Sequence, residues 1–175
     1  ITTVDGDVEL VGNAVDGSGV GGGADISVTG AGMVTVTGKA TGVNSAIGAN
    51  SPSITTNSGD VTVTGSSVAT TGVVVQIINT MTGAITIDGT SAGTQGVIVG
   101  GGGSFISTGG TMGISITGTT SSTDPDDFAV VLASDGTTVD TTSNAPITIV
   151  GNGQNGLRIG NKNNIVPDSP TLSST

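Results

Sequence analysis

Apolar and polar residues alternate with a period of two in a short phrase that returns six times along this chain. It reads roughly x-β-x-β-x-Gly, where β is mostly Val or Ile. The copies are DVELVG (Asp7 to Gly12), MVTVTG (Met33 to Gly38), DVTVTG (Asp60 to Gly65), AITIDG (Ala84 to Gly89), GISITG (Gly113 to Gly118) and PITIVG (Pro146 to Gly151). A period of two is the signature of a β-strand with one buried face, so each copy predicts a strand. The closing glycines are 26, 27, 24, 29 and 33 residues apart, a repeat length typical of solenoid coils, with the drift absorbed in loops.

Two further apolar stretches accompany each copy. A short one precedes it, as in SIT (Ser53 to Thr55), Ile77 with Ile78, FIS (Phe105 to Ser107) and TVD (Thr138 to Asp140). Another follows it, as in GVVVQ (Gly72 to Gln76), GVIVG (Gly96 to Gly100), FAVVL (Phe128 to Leu132) and GLRIG (Gly156 to Gly160). Three strands per repeat predict an all-β fold: a right-handed, single-stranded parallel β-helix of about six three-stranded coils, the hand following the usual rule for parallel crossovers. Successive coils then stack Val34, Val61, Ile85, Ile114 and Ile147, and likewise Val36, Val63, Ile87, Ile116 and Ile149, into columns about 4.8 Å apart that form the core. Each closing Gly is expected either to turn a corner with positive φ or to let the chain pass close to its neighbour. The solenoid is expected over residues 1–160. The stretch 161–175, NKNNIVPDSPTLSST, reads as a tail or connecting arm.

Composition supports strands and removes whole classes of alternative. There are 32 Gly and thirty Thr, while Lys, Arg and Glu together number four, so straight-chain helix formers are nearly absent. The apolar fraction is 34 %, mostly Val and Ile, which argues for a packed core over disorder. No G-X-Y period runs through the chain, which excludes collagen. Two Phe and no Trp or Tyr suit a coil interior too thin for large rings. No apolar run is long enough to span a membrane as a helix. A net charge of −10 repels phosphate, which argues against nucleic acid as a partner. The absence of Cys is compatible with export, and ITTVDGDVEL has no signal-peptide pattern, so an exported protein is read here as a processed form or a piece of a longer chain.

The phrases SGDVTVTG (Ser58 to Gly65) and TGAITIDG (Thr82 to Gly89), each followed by a Gly-led apolar strand, resemble the coils of filamentous-haemagglutinin-like and autotransporter-like passengers. The likeness runs from about Ile1 to Gly160. It implies a right-handed β-helix carried on a bacterial surface, extracellular, with a structural or adhesive role. The N-terminal secretion module of the haemagglutinin-like group is not visible in this sequence.

Candidate chemistry is sparse. With no His, Cys, Tyr or Trp, neither a Ser/His triad nor a hydrolytic metal site can be assembled. β-Helical polysaccharide lyases use Asp with Arg or Lys, but this chain offers only Arg158, Lys39 and Lys162, and Arg158 is expected to point outward between inward Leu157 and Ile159. No enzyme is expected, and no cofactor is required. The loop TDPDDF (Thr123 to Phe128) with nearby Asp135 is the one candidate metal site: Asp124, Asp126, Asp127 and Asp135 offer the oxygen ligands that calcium takes, without an EF-hand spacing. GGGAD (Gly21 to Asp25) shares only a fragment of a calcium-binding nonapeptide repeat.

Outward residues of the phrase make Thr pairs at Thr35 and Thr37 and at Thr62 and Thr64, continued by Thr86, Ser115, Thr117 and Thr148 and interrupted by Asp88 and Val150. Exposed strand positions favour Thr in any case. A regular hydroxyl ladder also suits a repetitive ligand such as ice or a glycan, which is the alternative function. The leading expectation is mechanical: a segment of a surface stalk, or a subunit that associates end to end into a filament and meets a host or matrix surface, since an uncapped solenoid end invites pairing.

Overall fold

A computed structural model describes the chain except residues 23, 24, 45, 46, 52, 101–104, 134–136, 161–170 and 175, and except the side chains of residues 105 and 171–174. Its described strands make an all-β fold, a parallel β-solenoid whose coils wind through three sheets, of seven, six and five strands. In chain order the strands are β1 (Thr2–Thr3), β2 (Val8–Ala14), β3 (Ile26–Val28), β4 (Val34–Ala40), β5 (Ala49–Asn50), β6 (Ile54–Thr56), β7 (Val61–Ser67), β8 (Val73–Val75) and β9 (Ile77–Thr80). They continue as β10 (Ile85–Ser91), β11 (Val97–Val99), β12 (Phe105–Thr108), β13 (Ile114–Thr120), β14 (Val130–Leu132), β15 (Thr138–Thr141), β16 (Ile147–Asn152), β17 (Leu157–Ile159) and β18 (Thr171–Ser174).

The first sheet runs β1-β3-β6-β9-β12-β15-β18, the second β2-β4-β7-β10-β13-β16, and the third β5-β8-β11-β14-β17. The six phrase copies are the six rungs of the second sheet. Their register aligns Val34, Val61, Ile85, Ile114 and Ile147, and one step inward along the strand Val36, Val63, Ile87, Ile116 and Ile149. Val34, Val36, Val61, Val63 and Ile87 have no solvent exposure, so the expected dry columns are present. Facing them are Ile26, Ile54, Ile78, Ile106 and Val139 from the first sheet and Val73, Val97, Val130, Val75, Val99 and Leu132 from the third. Each fully buried Val or Ile is worth about 1.5–3 kcal/mol relative to an exposed one, and the columns repeat that gain coil by coil.

The glycine in the phrase does not end its strand. β7, for example, passes through Gly65 and on to Ser67, and Gly12, Gly38, Gly65, Gly89, Gly118 and Gly151 form a column of their own. None of these has positive φ; among the described residues that conformation occurs at Gly17, Gly113 and Gly160. The column exists because the second and third sheets converge there. A Cβ on Gly65 would lie 2.2 Å from the Gly72 carbonyl oxygen, and one on Gly89 would lie 2.1 Å from that of Gly96. Of the two roles expected for this glycine, close approach is the one realised.

Beyond each narrow edge the inward positions turn polar. Thr56, Thr80, Thr108 and Thr141 follow the core Ile or Val of the first sheet, and Ser67, Ser91 and Thr120 follow the glycines of the second; all are buried. Their hydroxyls tie one coil to another. Thr80 Oγ1 donates to the Gly59 carbonyl at 3.2 Å and accepts from the Gly83 N–H at 3.0 Å, Thr108 Oγ1 donates to Gly83, and Ser91 and Thr120 donate to the carbonyls of Thr70 and Thr94. These hydroxyls satisfy corner backbone groups that have no ladder partner. Past residue 160, the strand Thr171–Ser174 pairs in parallel with β15 and adds a seventh rung to the first sheet.

Gly65→Ala and Gly89→Ala are expected to cost about 2–3 kcal/mol each through overpacking against backbone that cannot retreat. Gly21→Ala, where a Cβ meets nothing within 4 Å, is expected to stay within about 0.5 kcal/mol. Ile87→Ala should cost about 2–5 kcal/mol by leaving a cavity between two rungs. Urea denaturation monitored by circular dichroism measures all four, and equal effects at Gly65 and Gly21 would contradict the convergence of the two sheets.

Candidate functional site

The Asp-rich loop lies between β13 and β14, on the convergent edge of the solenoid. Asp124 and Asp127 bracket a turn closed by the Asp127 N–H donating to the Asp124 carbonyl at 3.1 Å, and Asp124 Oδ1 accepts from the Asp126 N–H at 2.9 Å. Neighbouring coils pin the loop. Asp127 Oδ1 accepts from Gln95 Nε2 at 3.0 Å and Oδ2 from Ser122 Oγ at 2.6 Å, while Asn155 Nδ2 donates to the carbonyls of Asp124 and Asp127 at 3.1 Å each. Each Asp127 oxygen therefore accepts one hydrogen bond that fixes the carboxylate between two neighbours. Asp135 lies outside the described residues. Among the described residues no group of three His, Cys, Asp or Glu side chains gathers at a distance suited to a metal ion. Gln95 and Asn155 were not foreseeable as partners, because they come from the coils before and after and are neither acidic nor periodic.

Arg158 projects from the outer face of β17, as its neighbours Leu157 and Ile159 required. Its guanidinium carbon stands 5.1 Å from the centre of the Phe128 ring, within cation–π range, and its Nε is buried without a hydrogen bond among the described residues. Arg158 ends a row on the third sheet in register with Val131, Ile98 and Val74, and Phe128 stands beside it just before β14.

The second sheet presents three outward columns where two were expected, because its strands continue past the glycine. The first is Glu9, Thr35, Thr62, Thr86, Ser115 and Thr148; the second Val11, Thr37, Thr64, Asp88, Thr117 and Val150; the third Asn13, Lys39, Ser66, Thr90, Thr119 and Asn152. Register is kept throughout the face. Charges enter it at Glu9, Lys39 and Asp88, and exposed apolar side chains at Val11 and Val150.

A different relief marks the first sheet. Its outward column Ser27, Thr55, Asn79, Ser107 and Asp140 is in register along the solenoid axis. Beside it, just past the strand ends, run Thr29, Asn57, Met81, Gly109 and Thr142. Between them lies an open groove of about 450 Å³, lined among others by Thr55, Asn57, Asn79, Met81 and Ser107. Ser107 forms its floor and is 5 % exposed.

No family model, no curated protein and no solved structure matches this chain. Its chemistry is therefore read from its own faces.

Because no three acidic side chains gather around one point among the described residues, millimolar CaCl₂ is expected to leave the urea midpoint unchanged, whereas a calcium ion bound only to the folded state at 100 times its Kd would add about 2.7 kcal/mol. Asn155→Ala is expected to cost about 1–2 kcal/mol by releasing two carbonyls, read in the same denaturation experiment.

Proposed function

We propose that this chain is a stiff extracellular structural or adhesive element, a segment of a surface rod or a subunit that stacks head to tail. The observation that carries this reading is the state of the last coil. Ile114, Ile116, Val130 and Leu132 are at most 2 % exposed, but their counterparts one rung on are not covered: Ile147 and Ile149 are only partly buried, and Leu157 and Ile159 are 40 % and 47 % exposed. An apolar end face of in-register strands is completed by another coil, whether of the same polypeptide or of another copy. Rods of this kind gain length without gaining new folding problems, since each coil contacts only its neighbours. The likeness of the coil phrases to filamentous-haemagglutinin-like and autotransporter-like passengers supports a cell-surface setting, and a sequence without His, Cys or Tyr and with only three Lys and Arg offers little to activate its many hydroxyls, which speaks against an enzyme.

A second reading is favoured by the three in-register hydroxyl columns of the second sheet, which suit a repeating ligand such as ice. Glu9, Lys39 and Asp88 weigh against it, because an ordered hydration layer on a lattice-binding face is disturbed by charge. Thermal hysteresis of the purified chain decides between the readings: none is expected, and its presence, abolished by Thr62→Lys, would establish the ice-binding one.

The mechanical reading predicts that subtilisin leaves a resistant fragment containing β4 to β14, with cleavage confined to loops; rapid digestion throughout would overturn it. It further predicts concentration-dependent end-to-end oligomers in sedimentation velocity, reduced by Ile149→Asp, which places a charge on the open rung. A monodisperse monomer at all concentrations would remove the subunit version and leave the stalk version.

A further inference from the structure

The first and last rungs of the second sheet share a feature that the inner rungs lack. Around the glycine, β2 reads Val11-Gly12-Asn13 and β16 reads Val150-Gly151-Asn152, whereas the rungs between them read Thr37-Gly38-Lys39, Thr64-Gly65-Ser66, Asp88-Gly89-Thr90 and Thr117-Gly118-Thr119. Val11 and Val150 face outward in one column, at 62 % and 40 % exposure, where every inner rung carries Thr or Asp. Asn13 and Asn152 hold the next outward column. Both strands are edges of the sheet, since β2 pairs there with β4 and β16 with β13. The two ends thus carry matching residues at matching positions, one end facing each way along the axis.

Register says what each end meets when a second copy continues the coil. With Gly12 of the next copy beside Gly151, Val8 extends the column of Ile147, Leu10 that of Ile149, Val11 that of Val150 and Asn13 that of Asn152. On the third sheet Val20 bridges to Ala49, and that column runs through Val73, Val97 and Val130 to Leu157, so Val20 of the next copy follows Leu157 and Gly21 follows Arg158. A Cβ on Gly21 meets nothing within 4 Å, which leaves space in that rung beside the guanidinium whose Nε is buried without a hydrogen bond. Leu10 and Val20, like Ile147 and Ile149, are only partly buried in the single chain. Adjacent Val side chains shield each other, and stacked Asn amides donate and accept along the axis. Charge fixes the polarity of the contact. The first 25 residues hold Asp5, Asp7, Glu9, Asp16 and Asp25 and no Lys or Arg, while Arg158 and Lys162, two of the chain's three cations, follow β16 with Asp168 as the one acid. Unlike ends attract, and two acidic ends repel.

We propose that copies of this chain join head to tail through β16 of one and β2 of the next, Gly151 beside Gly12, with the Val pair and the Asn pair closing the outer face of the joint. This rests on the subunit version of the reading above and names its interface. On the first sheet β18 already continues past β15, so it takes the position that β1 fills in the single chain. β1 is the shortest strand of that sheet and pairs with β3 through Thr2 and Thr3. It gives way, and β18 of one copy lies against β3 of the next with Ser173 beside Ser27, two positions of one column.

Because the chain has no Cys, disulfide trapping tests the register directly. Val11→Cys and Val150→Cys are prepared as separate variants of the full chain; in the joint their Cα atoms lie about 4.8 Å apart, within disulfide range. Mixed and oxidised, the two are expected to give a covalent dimer that neither gives alone. Glu9→Cys mixed with Val150→Cys, two residues out of register and about 8 Å apart, is expected to give none. Ser27→Cys mixed with Ser173→Cys is expected to cross-link as β18 replaces β1. Val150→Asp should raise the concentration needed for association in sedimentation velocity by at least about tenfold. Thr37→Asp, in the same outward column one rung inside β2, should leave it unchanged. Both positions face outward, so both variants keep the fold, which thermal melting by circular dichroism checks. A covalent dimer from either single variant, no cross-link in the Val11 and Val150 mixture or in the Ser27 and Ser173 mixture, or equal effects at positions 150 and 37 would each overturn this joint. Oligomers that form without these cross-links overturn the joint and leave the head-to-tail reading, whereas no oligomer at any concentration removes both.

Discussion

Every feature of this molecule follows from strands of successive coils lying parallel and in strict register, residue above equivalent residue. Because side chains alternate in and out with a period of two, a slip of one residue would turn Val61, Val63 and their columns to solvent and bring Thr62 and Thr64 inside. Register is therefore held by the whole apolar interior at once. Once it is fixed, whatever one coil needs at a position every coil needs there, and the sequence repeats for that reason.

The glycine column and the buried hydroxyls are two consequences of the same constraint. The second sheet is built from strands of six or seven residues and the third from strands of two or three, so the short sheet must fold back against the long one before the latter ends. At that pinch no side chain fits, and Gly65 and Gly89 lie against carbonyl oxygens of the converging chain. On the far side of the pinch, backbone groups leave the ladder to turn. Ser67, Ser91 and Thr120 satisfy them from within, as Thr56, Thr80, Thr108 and Thr141 do at the corner between the first and second sheets. Small hydroxyl residues are the ones short enough to stay inside a thin coil and still reach the main chain of its neighbour.

Much of this was legible from residues alone. The alternation of DVTVTG and its five relatives carried the second sheet, and the runs around Ile78 and Val97 carried the other two, because apolar periodicity reports directly on burial. What escaped was of two kinds. Strand continuation past the glycine was hidden because Gly normally marks an end, and β5, only Ala49 and Asn50, has too little apolar content to show any period. Inward Thr and Ser were hidden because Thr56 and Thr62 look alike in sequence while one is buried and the other faces out. The partners of Asp127 and the column Ser27, Thr55, Asn79 and Ser107 belong to a third difficulty: they join residues one coil apart whose chemical types differ, so no local pattern announces them.

The inside of the coil is conserved from rung to rung by packing, and variety is left to the outer faces, which here differ in kind. The second sheet shows hydroxyl columns, the third an apolar row of Val74, Ile98 and Val131 that ends at Arg158, and the first a polar groove. Each coil contributes one residue to each outward column, so the chemistry of a face is set one rung at a time and runs along the axis in phase with the core beneath it. The register that makes the interior repeat thus also aligns whatever the sequence places outside, and a change at one rung alters one position of a column without disturbing the packing of the next.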